Sequence, residues 1–180
     1  MKDELQIWTV GHSTRSAEEF GHLLQVHQIS TLIDVRSFPG SRRYPQFNKT
    51  ALSESLRTLG ISYEHAPRLG GRRKPNAKSH NSAWKNASFR AYADYMETGE
   101  FKEGIRDLIA IARSESIAIM CAESLWWRCH RSLIADYLKA AGVTVVHILD
   151  KKKTEMHPFT SAARIVDGEL SYRGLLQAES

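Results

Sequence analysis

Short apolar segments that alternate with segments of helical periodicity constrain this chain more than any other feature of its sequence. The apolar segments predict strands over 6–12, 31–38, 61–66, 116–122 and 144–150. The segments between them predict helices after a cap at Ser13, Thr14 or Ser16, over 51–60, over 88–116 with a hinge near Gly99, and over 126–143. Strands that alternate with helices are typical of a parallel sheet packed between helices.

We therefore predict a single three-layer α/β domain over residues 1–180, with a mainly parallel central sheet and helices on both faces. A terminal hairpin is expected around Asp167-Gly168. The length of 180 residues suits one domain, and 42% hydrophobic and 25% charged residues exclude a disordered or fibrous chain. No apolar run approaches the roughly 18 residues of a membrane helix. With only two cysteines and no signal peptide, we expect a cytoplasmic protein without disulfides.

Positive charge is concentrated in one stretch of the sequence. The segment 36–85 contains eleven lysines and arginines but only two acidic residues, Glu54 and Glu64. Its most basic parts, 39–49 and 68–85, contain no carboxylate. Such a surface favours an anionic small molecule or a nucleic acid as partner. The alternative is a solvated basic face that only aids solubility.

Reactive side chains follow four of the predicted strands. Because ligands bind beyond the carboxyl ends of parallel strands, these side chains are candidates for a shared site. His12, Asp34 and Glu123 are interpreted as candidates for proton transfer, with turn capping or an Asp34–Arg36 ion pair as the structural alternative. The residues predicted to bind the anion are Gly11, Ser13, Arg36, Arg42, Arg43, Gly70, Gly71, His130 and Arg131.

Cys121 lies at the end of a predicted strand, before a tight turn and a predicted helix that carries arginine, which resembles the place of a thiolate nucleophile in an anion cradle. Tyrosine phosphatases separate such a cysteine from its arginine by five residues. Here six residues separate Cys121 from Arg128, so Arg131 is expected to face the site instead. The structural alternative is a buried cysteine that packs as a small hydrophobic residue.

A metal site at Cys121, Cys129, His130 and His12 is not favoured, because the gap of seven residues between the cysteines is wider than usual zinc spacing. A redox pair is not favoured either, because the spacing is not Cys-x-x-Cys. Cys129 is predicted on the apolar side of its helix. His80, His147 and His157 are interpreted as surface or capping residues. No cofactor is implied.

Several segments together resemble the family called domain of unknown function 488 (DUF488). They are TVGHST, LIDVRSFPGSRRYPQFN, YEHAPRLGG, FRAYADYM and CAESLWWRCHR, within residues 7 to 160. The resemblance implies a compact cytoplasmic α/β domain but no particular activity. Similar sequences often have a proline where this chain has Leu125-Trp126-Trp127. The positions that the resemblance marks are Gly11, His12, Ser13, Asp34, Arg36, Pro39, Ser41, Arg42, Pro45, Gly70, Cys121, Glu123, Cys129, His130 and Arg131.

These observations lead to two hypotheses. The first is an enzyme that acts on a phosphorylated or nucleotide-like anion at the carboxyl edge of the sheet, with Cys121 as nucleophile or as a wall of the pocket. The second is a non-catalytic module that binds nucleic acid or a nucleotide through the same basic loops.

Overall fold

A six-stranded sheet forms the centre of the protein, of which the computed structural model describes residues 4–174. The sheet order is β3-β2-β4-β1-β5-β6; the first five strands in this order are parallel and β6 is antiparallel. Its strands are β1 (Gln6–Gly11), β2 (Thr31–Asp34), β3 (Ser62–His65), β4 (Ile117–Cys121), β5 (Thr144–Ile148) and β6 (Thr154–Met156). The central strands β2 and β4 are buried at every residue, as expected for a sheet that is covered on both faces.

Five α-helices cover the two faces of this sheet. They are α1 (Ala17–Val26), α2 (Lys49–Arg57), α3 (Ala87–Tyr95), α4 (Gly99–Ala112) and α5 (Arg131–Ala140). Residues of α1 and α2 form one core cluster with Val10, Leu32 and Met120 of the sheet. Residues of α3, α4 and α5 form a second cluster on the other face, around Ile33 and Ile119. The predicted three-layer α/β fold is therefore confirmed.

The order of the strands opens a crevice at the carboxyl edge of the sheet. From β2 the chain continues outward to β3 through α2, whereas from β4 it crosses β1 to β5 through α5 on the opposite face. Neighbouring strands whose connections diverge in this way leave a space beyond their carboxyl ends, where α/β proteins bind ligands. The loops after β1, β2 and β4 all border this space.

Most local predictions are confirmed. Ser16 caps α1 by accepting a hydrogen bond from the Glu19 amide, and Thr98 caps α4 at the predicted hinge. The C-terminal hairpin consists of β7 (Arg164–Val166) and β8 (Glu169–Ser171). Asp167 and Gly168 at its turn both have positive φ, as a type I′ turn requires.

The predicted start of the last helix is wrong. A single 3-10 turn occupies Trp126–Arg128, and α5 begins only at Arg131. Trp126 is buried and stacks on His147 with ring centroids 4.4 Å apart, whereas Trp127 is 48% exposed. Cys129 therefore precedes α5 instead of lying on its apolar face. The strand β6 was not predicted.

Among the described residues 4–174, no helix has the length and apolar character needed to cross a membrane.

Gly11 is required by the close approach of two loops. A Cβ atom at this position would lie 1.9 Å from the Glu123 carbonyl oxygen, which is backbone and cannot move aside cheaply. The two loops are held together there by hydrogen bonds from the His12 amide to the Cys121 carbonyl and from the Ser13 amide to the Ala122 carbonyl, each 3.0 Å long.

We predict that Gly11→Ala lowers the free energy of unfolding by about 2–4 kcal/mol, because a side chain would force the loop after β4 away from β1. Chemical denaturation measures this change. The matched control is Gly99→Ala, where no atom lies within 4 Å of the added Cβ and φ is not positive. Equal stability of the two variants would contradict this packing.

Candidate functional site

A cleft of about 680 Å³ lies at the carboxyl edge of the sheet. The loops after β1, β2 and β4 line it, together with the loop that follows β3. The predicted site residues that face it are His12, Ser13, Arg36, Arg43, Gly71, Cys121, Glu123 and His130. The structure thus brings together residues that are far apart in the sequence.

One side of the cleft is built on a buried ion pair between Asp34 and Arg36. Nε of Arg36 donates to Oδ1 of Asp34 at 2.9 Å, and Nη2 donates to Oδ2 at 2.8 Å. The Asp34 carboxylate also accepts hydrogen bonds from the Arg36 amide and from the Tyr63 hydroxyl. With four donors and no exposed surface, this carboxylate has no capacity left for a ligand. Asp34 therefore fixes Arg36 in place beneath the cleft.

The His12 ring joins this ion pair to the loop after β1. Its Nδ1 lies 2.9 Å from the Ser13 carbonyl oxygen and must donate to it, so Nε2 is the acceptor that faces Nη1 of Arg36 at 3.4 Å. The ring stacks on Phe47 with centroids 4.2 Å apart. Burial and the positive charge of Arg36 lower the pKa of His12 to about 4, although the hydrogen bond to Ser13 raises it. His12 is therefore neutral at pH 7.

Arg131 forms the floor beneath the other side of the cleft. Its side chain is 1% exposed and every guanidinium nitrogen has a partner. Nε donates to the Cys121 sulfur at 2.9 Å, Nη1 to the Thr9 hydroxyl at 3.0 Å, and Nη2 to the Glu123 carbonyl at 2.5 Å. Among residues 4–174, no carboxylate oxygen lies within 4 Å of this guanidinium.

The nearest groups that can carry a compensating negative charge are two sulfur atoms. The Sγ atoms of Cys121 and Cys129 are 2.7 Å apart, and both cysteines are free thiols. A buried guanidinium is costly unless it faces a negative charge. Loss of one proton from this pair would place a thiolate beside the guanidinium of Arg131.

Cys129 is the better placed of the two to hold the negative charge. It lies just before the N-terminus of α5, and its sulfur accepts the Arg131 amide hydrogen at 3.3 Å. Burial raises the pKa of this thiol, but hydrogen bonds from Cys121 and Arg131 and the charge of Arg131 outweigh it and lower the pKa to about 7. Burial, with the bond to Cys129, raises the pKa of Cys121 well above its usual range.

His130 borders the cysteine pair. Its Nε2 lies 2.9 Å from the Val35 carbonyl oxygen and donates to it, so the unprotonated Nδ1, 3.6 Å from the Cys129 sulfur, can accept a hydrogen bond only from the thiol form of Cys129. Burial lowers the pKa of His130, which keeps the ring neutral. Gly71 packs against this ring, and a Cβ there would come within 2.5 Å of Nδ1.

A chain of buried hydrogen bonds continues from Arg131 into the protein. The Thr9 hydroxyl lies 2.5 Å from Nδ1 of His147, Nε2 of His147 lies 2.8 Å from Nδ1 of His157, and Nε2 of His157 lies 2.8 Å from the Asp136 carboxylate. Thr160 and Tyr172 also donate to that carboxylate. All of these polar groups are therefore satisfied inside the core.

The direction of each bond in this chain follows from its two ends. A guanidinium only donates, so the Thr9 hydroxyl accepts from Arg131 and donates to Nδ1 of His147. His147 must then carry its proton on Nε2 and donate to His157, which in turn donates to Asp136. Burial, with the positive charge of Arg131, lowers the pKa of His147 to about 2, which agrees with a neutral ring. The chain thus fixes Arg131 against the sulfurs.

The exposed rim of the cleft is basic. Arg43, Arg72 and Arg128 border it and are exposed to solvent. Arg72 lies over the Phe38 ring at 5.2 Å, and Arg43 lies over the Tyr44 ring at 5.5 Å, which leaves the edges of both guanidinium groups accessible.

Several sequence predictions are corrected by these positions. Arg128 faces the cleft and Arg131 does not, the reverse of the expectation. Arg42 is exposed but outside the cleft lining, and Gly70 packs under Ser37. The interpretation of His147 and His157 as surface or capping residues is wrong, because both are buried.

Sequence reasoning missed the residues beneath the floor: Thr9, Asp136, His147, His157 and Tyr172. One signal was available, because His147 interrupts an otherwise apolar strand, TVVHI. Within the described part of the chain, no group of three or more His, Cys, Asp or Glu residues is arranged to hold a metal ion.

Comparison with known families identifies one match. The sequence profile of the family Domain of unknown function DUF488 matches residues 16–138, which is more than half of the chain. The chain therefore belongs to this family. No curated protein and no solved structure matches it.

We predict that the stability of this protein falls as the pH is lowered from about 6.5 to 4, in part because of His12. Its pKa is lower in the folded than in the unfolded chain, so the unfolded state binds the extra proton over this interval. The contribution is about 3 kcal/mol, given 1.36 kcal/mol per pKa unit. Denaturation at a series of pH values measures it.

His12→Gln should therefore reduce the dependence of stability on pH, because the amide oxygen still accepts from Arg36 but does not titrate. The matched control is His22→Gln, which removes an exposed histidine of α1. Parallel curves for the wild type and His12→Gln would show that His12 is not the group responsible.

Proposed function

We propose that this member of the DUF488 family is an enzyme that acts on a phosphorylated or nucleotide-like anion with a cysteine thiolate. The observation that carries this proposal is the cysteine pair bound to a buried arginine at the floor of a cleft whose rim holds three exposed arginines. The floor supports a nucleophile, and the rim supports an anionic substrate.

The rim arginines are the groups that bind the anion in this proposal. Arg36 is bound to Asp34 and Arg131 to the sulfurs, whereas Arg43, Arg72 and Arg128 are exposed to solvent at the cleft. Guanidinium groups bind phosphate oxygens in pairs of parallel hydrogen bonds. An anion held there lies above the cysteine pair, because both cysteines line the same cleft.

Cys129 is the nucleophile in this proposal. It is the more exposed of the two cysteines, at 8% against 3% for Cys121, and the end of α5 favours its thiolate. Cys121 then serves as the hydrogen-bond partner that keeps the other proton. This assignment replaces Cys121, which the sequence favoured because it follows a strand directly.

Glu123 is the proton carrier in this proposal. Its carboxylate is exposed and lies in the cleft lining, so it can exchange protons with solvent and with a bound ligand. Asp34 is a positioning residue, because it acts only through Arg36. His12 is neutral and orients the same arginine.

The second candidate function is a non-catalytic nucleic-acid-binding module. The observation in its favour is the exposed Phe38 ring, 68% accessible, beside Arg72 on the rim. An aromatic ring next to a guanidinium group can stack on an unpaired base. This function would require the rim but not the thiolate.

We predict that inorganic pyrophosphate and adenosine monophosphate each slow the alkylation of Cys129 by iodoacetamide at pH 7. Replacing Arg72 or Arg128 by alanine should weaken this protection about ten- to hundredfold in the anion concentration required, because each charged hydrogen-bond contact contributes about 1.5–3 kcal/mol. Mass spectrometry of the labelled peptides measures the rate for each cysteine.

Arg113→Ala is the matched control for the loss of charge. This arginine is exposed and precedes β4, so it lies at the opposite edge of the sheet. If neither anion protects Cys129, the proposed enzyme site is wrong. Salt-sensitive binding of single-stranded oligonucleotides that leaves the alkylation rate unchanged would then favour the binding module.

A further inference from the structure

We propose that Cys121 and Cys129 form a dithiol redox centre, which a small hydroperoxide oxidises to an intramolecular disulfide. This inference goes beyond the proposed function, because it concerns the two sulfurs alone and requires no anion on the rim. It also gives Cys121, which only retains a proton in the proposed enzyme, a covalent role.

The two sulfurs are already close enough to form a bond with little movement. They are 2.7 Å apart, and a disulfide bond of about 2.05 Å requires them to approach by only about 0.7 Å. The cysteines are eight positions apart in the sequence, so no Cys-x-x-Cys motif indicates this pairing. The pair forms because the end of β4 and the start of α5 meet above Arg131.

The two sulfurs have different surroundings. The Cys129 sulfur accepts the Arg131 amide and lies at the N-terminus of α5, where a thiolate is favoured. The Cys121 sulfur accepts Nε of Arg131, and its single S–H proton can be donated either to the Cys129 sulfur or to the Glu123 carbonyl oxygen, 3.6 Å away. One sulfur is therefore suited to attack, and its neighbour to retain a proton until it is needed.

The cleft gives small molecules, but not a second protein, access to the two sulfurs. Both cysteines line the cleft, but they are only 8% and 3% exposed. A hydroperoxide is small enough to reach Cys129, whereas a second protein molecule cannot bring its own cysteine into contact with either sulfur. This geometry favours the intramolecular bond over a disulfide between two chains.

The reaction proceeds in two balanced steps. The Cys129 thiolate attacks one oxygen of the hydroperoxide, the O–O bond breaks, and the product is a sulfenic acid with release of hydroxide or an alkoxide. The Cys121 sulfur then attacks the sulfenic sulfur, its proton leaves with the hydroxyl group as water, and the disulfide forms. Two electrons pass from the sulfurs to the peroxide. A dithiol reductant returns both protons and electrons by thiol–disulfide exchange.

Arg131 assists the first step in two ways. Its charge stabilises the attacking thiolate, and its hydrogen bonds to Thr9 and the Glu123 carbonyl hold it beside the sulfurs. The disulfide removes the thiolate that faces this guanidinium, so the oxidised protein holds a buried charge that is less well compensated. The disulfide is consequently expected to be reduced readily.

The direct test is to treat the reduced full-length protein with one equivalent of hydrogen peroxide. We expect both thiols to become unavailable for alkylation together, in a monomer whose mass has fallen by two hydrogen atoms, and dithiothreitol to restore both. Disulfide-linked dimers, oxygen adducts without a disulfide, or unchanged thiols would each overturn the proposal.

Single replacements test the division of roles. In Cys121→Ser, Cys129 should accumulate a sulfenic acid that dimedone traps, whereas in Cys129→Ser the remaining Cys121 should stay reduced under the same treatment. Dimedone labelling of Cys121 alone would overturn the assignment of Cys129 as the attacking sulfur. Circular dichroism of both variants checks that the fold persists.

The same chain unfolded in urea is a matched control for the effect of the fold. At pH 6 we expect the folded protein to react with peroxide roughly tenfold faster, because its larger thiolate fraction outweighs the lower nucleophilicity of a more acidic thiol. Equal rates would contradict the proposal. Disulfide formation in a protein whose Cys129 no anion protects would refute the proposed enzyme function and leave the redox centre intact.

Discussion

The buried charge of Arg131 is the constraint on which the rest of the site depends. A guanidinium that is 1% exposed loses the solvation of water and must be compensated inside the protein. Its hydrogen bonds join the loop after β4 to β1, and within residues 4–174 the only neighbouring groups that can become negative are the two sulfurs. The thiol chemistry that we propose for this protein is thus a consequence of how a core arginine is satisfied.

The two halves of the site use their arginines differently. The charge of Arg36 is compensated by the Asp34 carboxylate, so this pair forms one wall of the cleft and carries no net charge. The neighbours of Arg131 are sulfur atoms, which can donate an electron pair to an electrophile, so the proposed reactivity belongs to this half. The chain through Thr9, His147 and His157 keeps Arg131 in place without supplying an acidic group at the cleft. The proposed reactivity is therefore confined to one end of the crevice that the strand order forms.

Much of this architecture could be predicted from the sequence, because strand and helix periodicity are local properties. The five parallel strands, the hinge at Gly99 and the hairpin turn at Asp167 follow from such patterns. The gathering of His12, Arg36 and Cys121 at one edge follows from parallel topology. The contact between Cys121 and Cys129 could not be predicted, because it depends on the 3-10 turn that delays α5. The buried partners of Arg131 depend on registers between strands, which no single segment encodes.

The measurement that tests this account most directly is the titration of the two cysteines in the reduced, folded protein by nuclear magnetic resonance, with isotope-labelled cysteine β-carbons. The account predicts that one cysteine, Cys129, changes from thiol to thiolate near neutral pH, while Cys121 remains protonated well above the ordinary range for a thiol. Two thiols that both stay protonated through neutral pH would show that Arg131 is buried without a counter-charge, and would contradict the account.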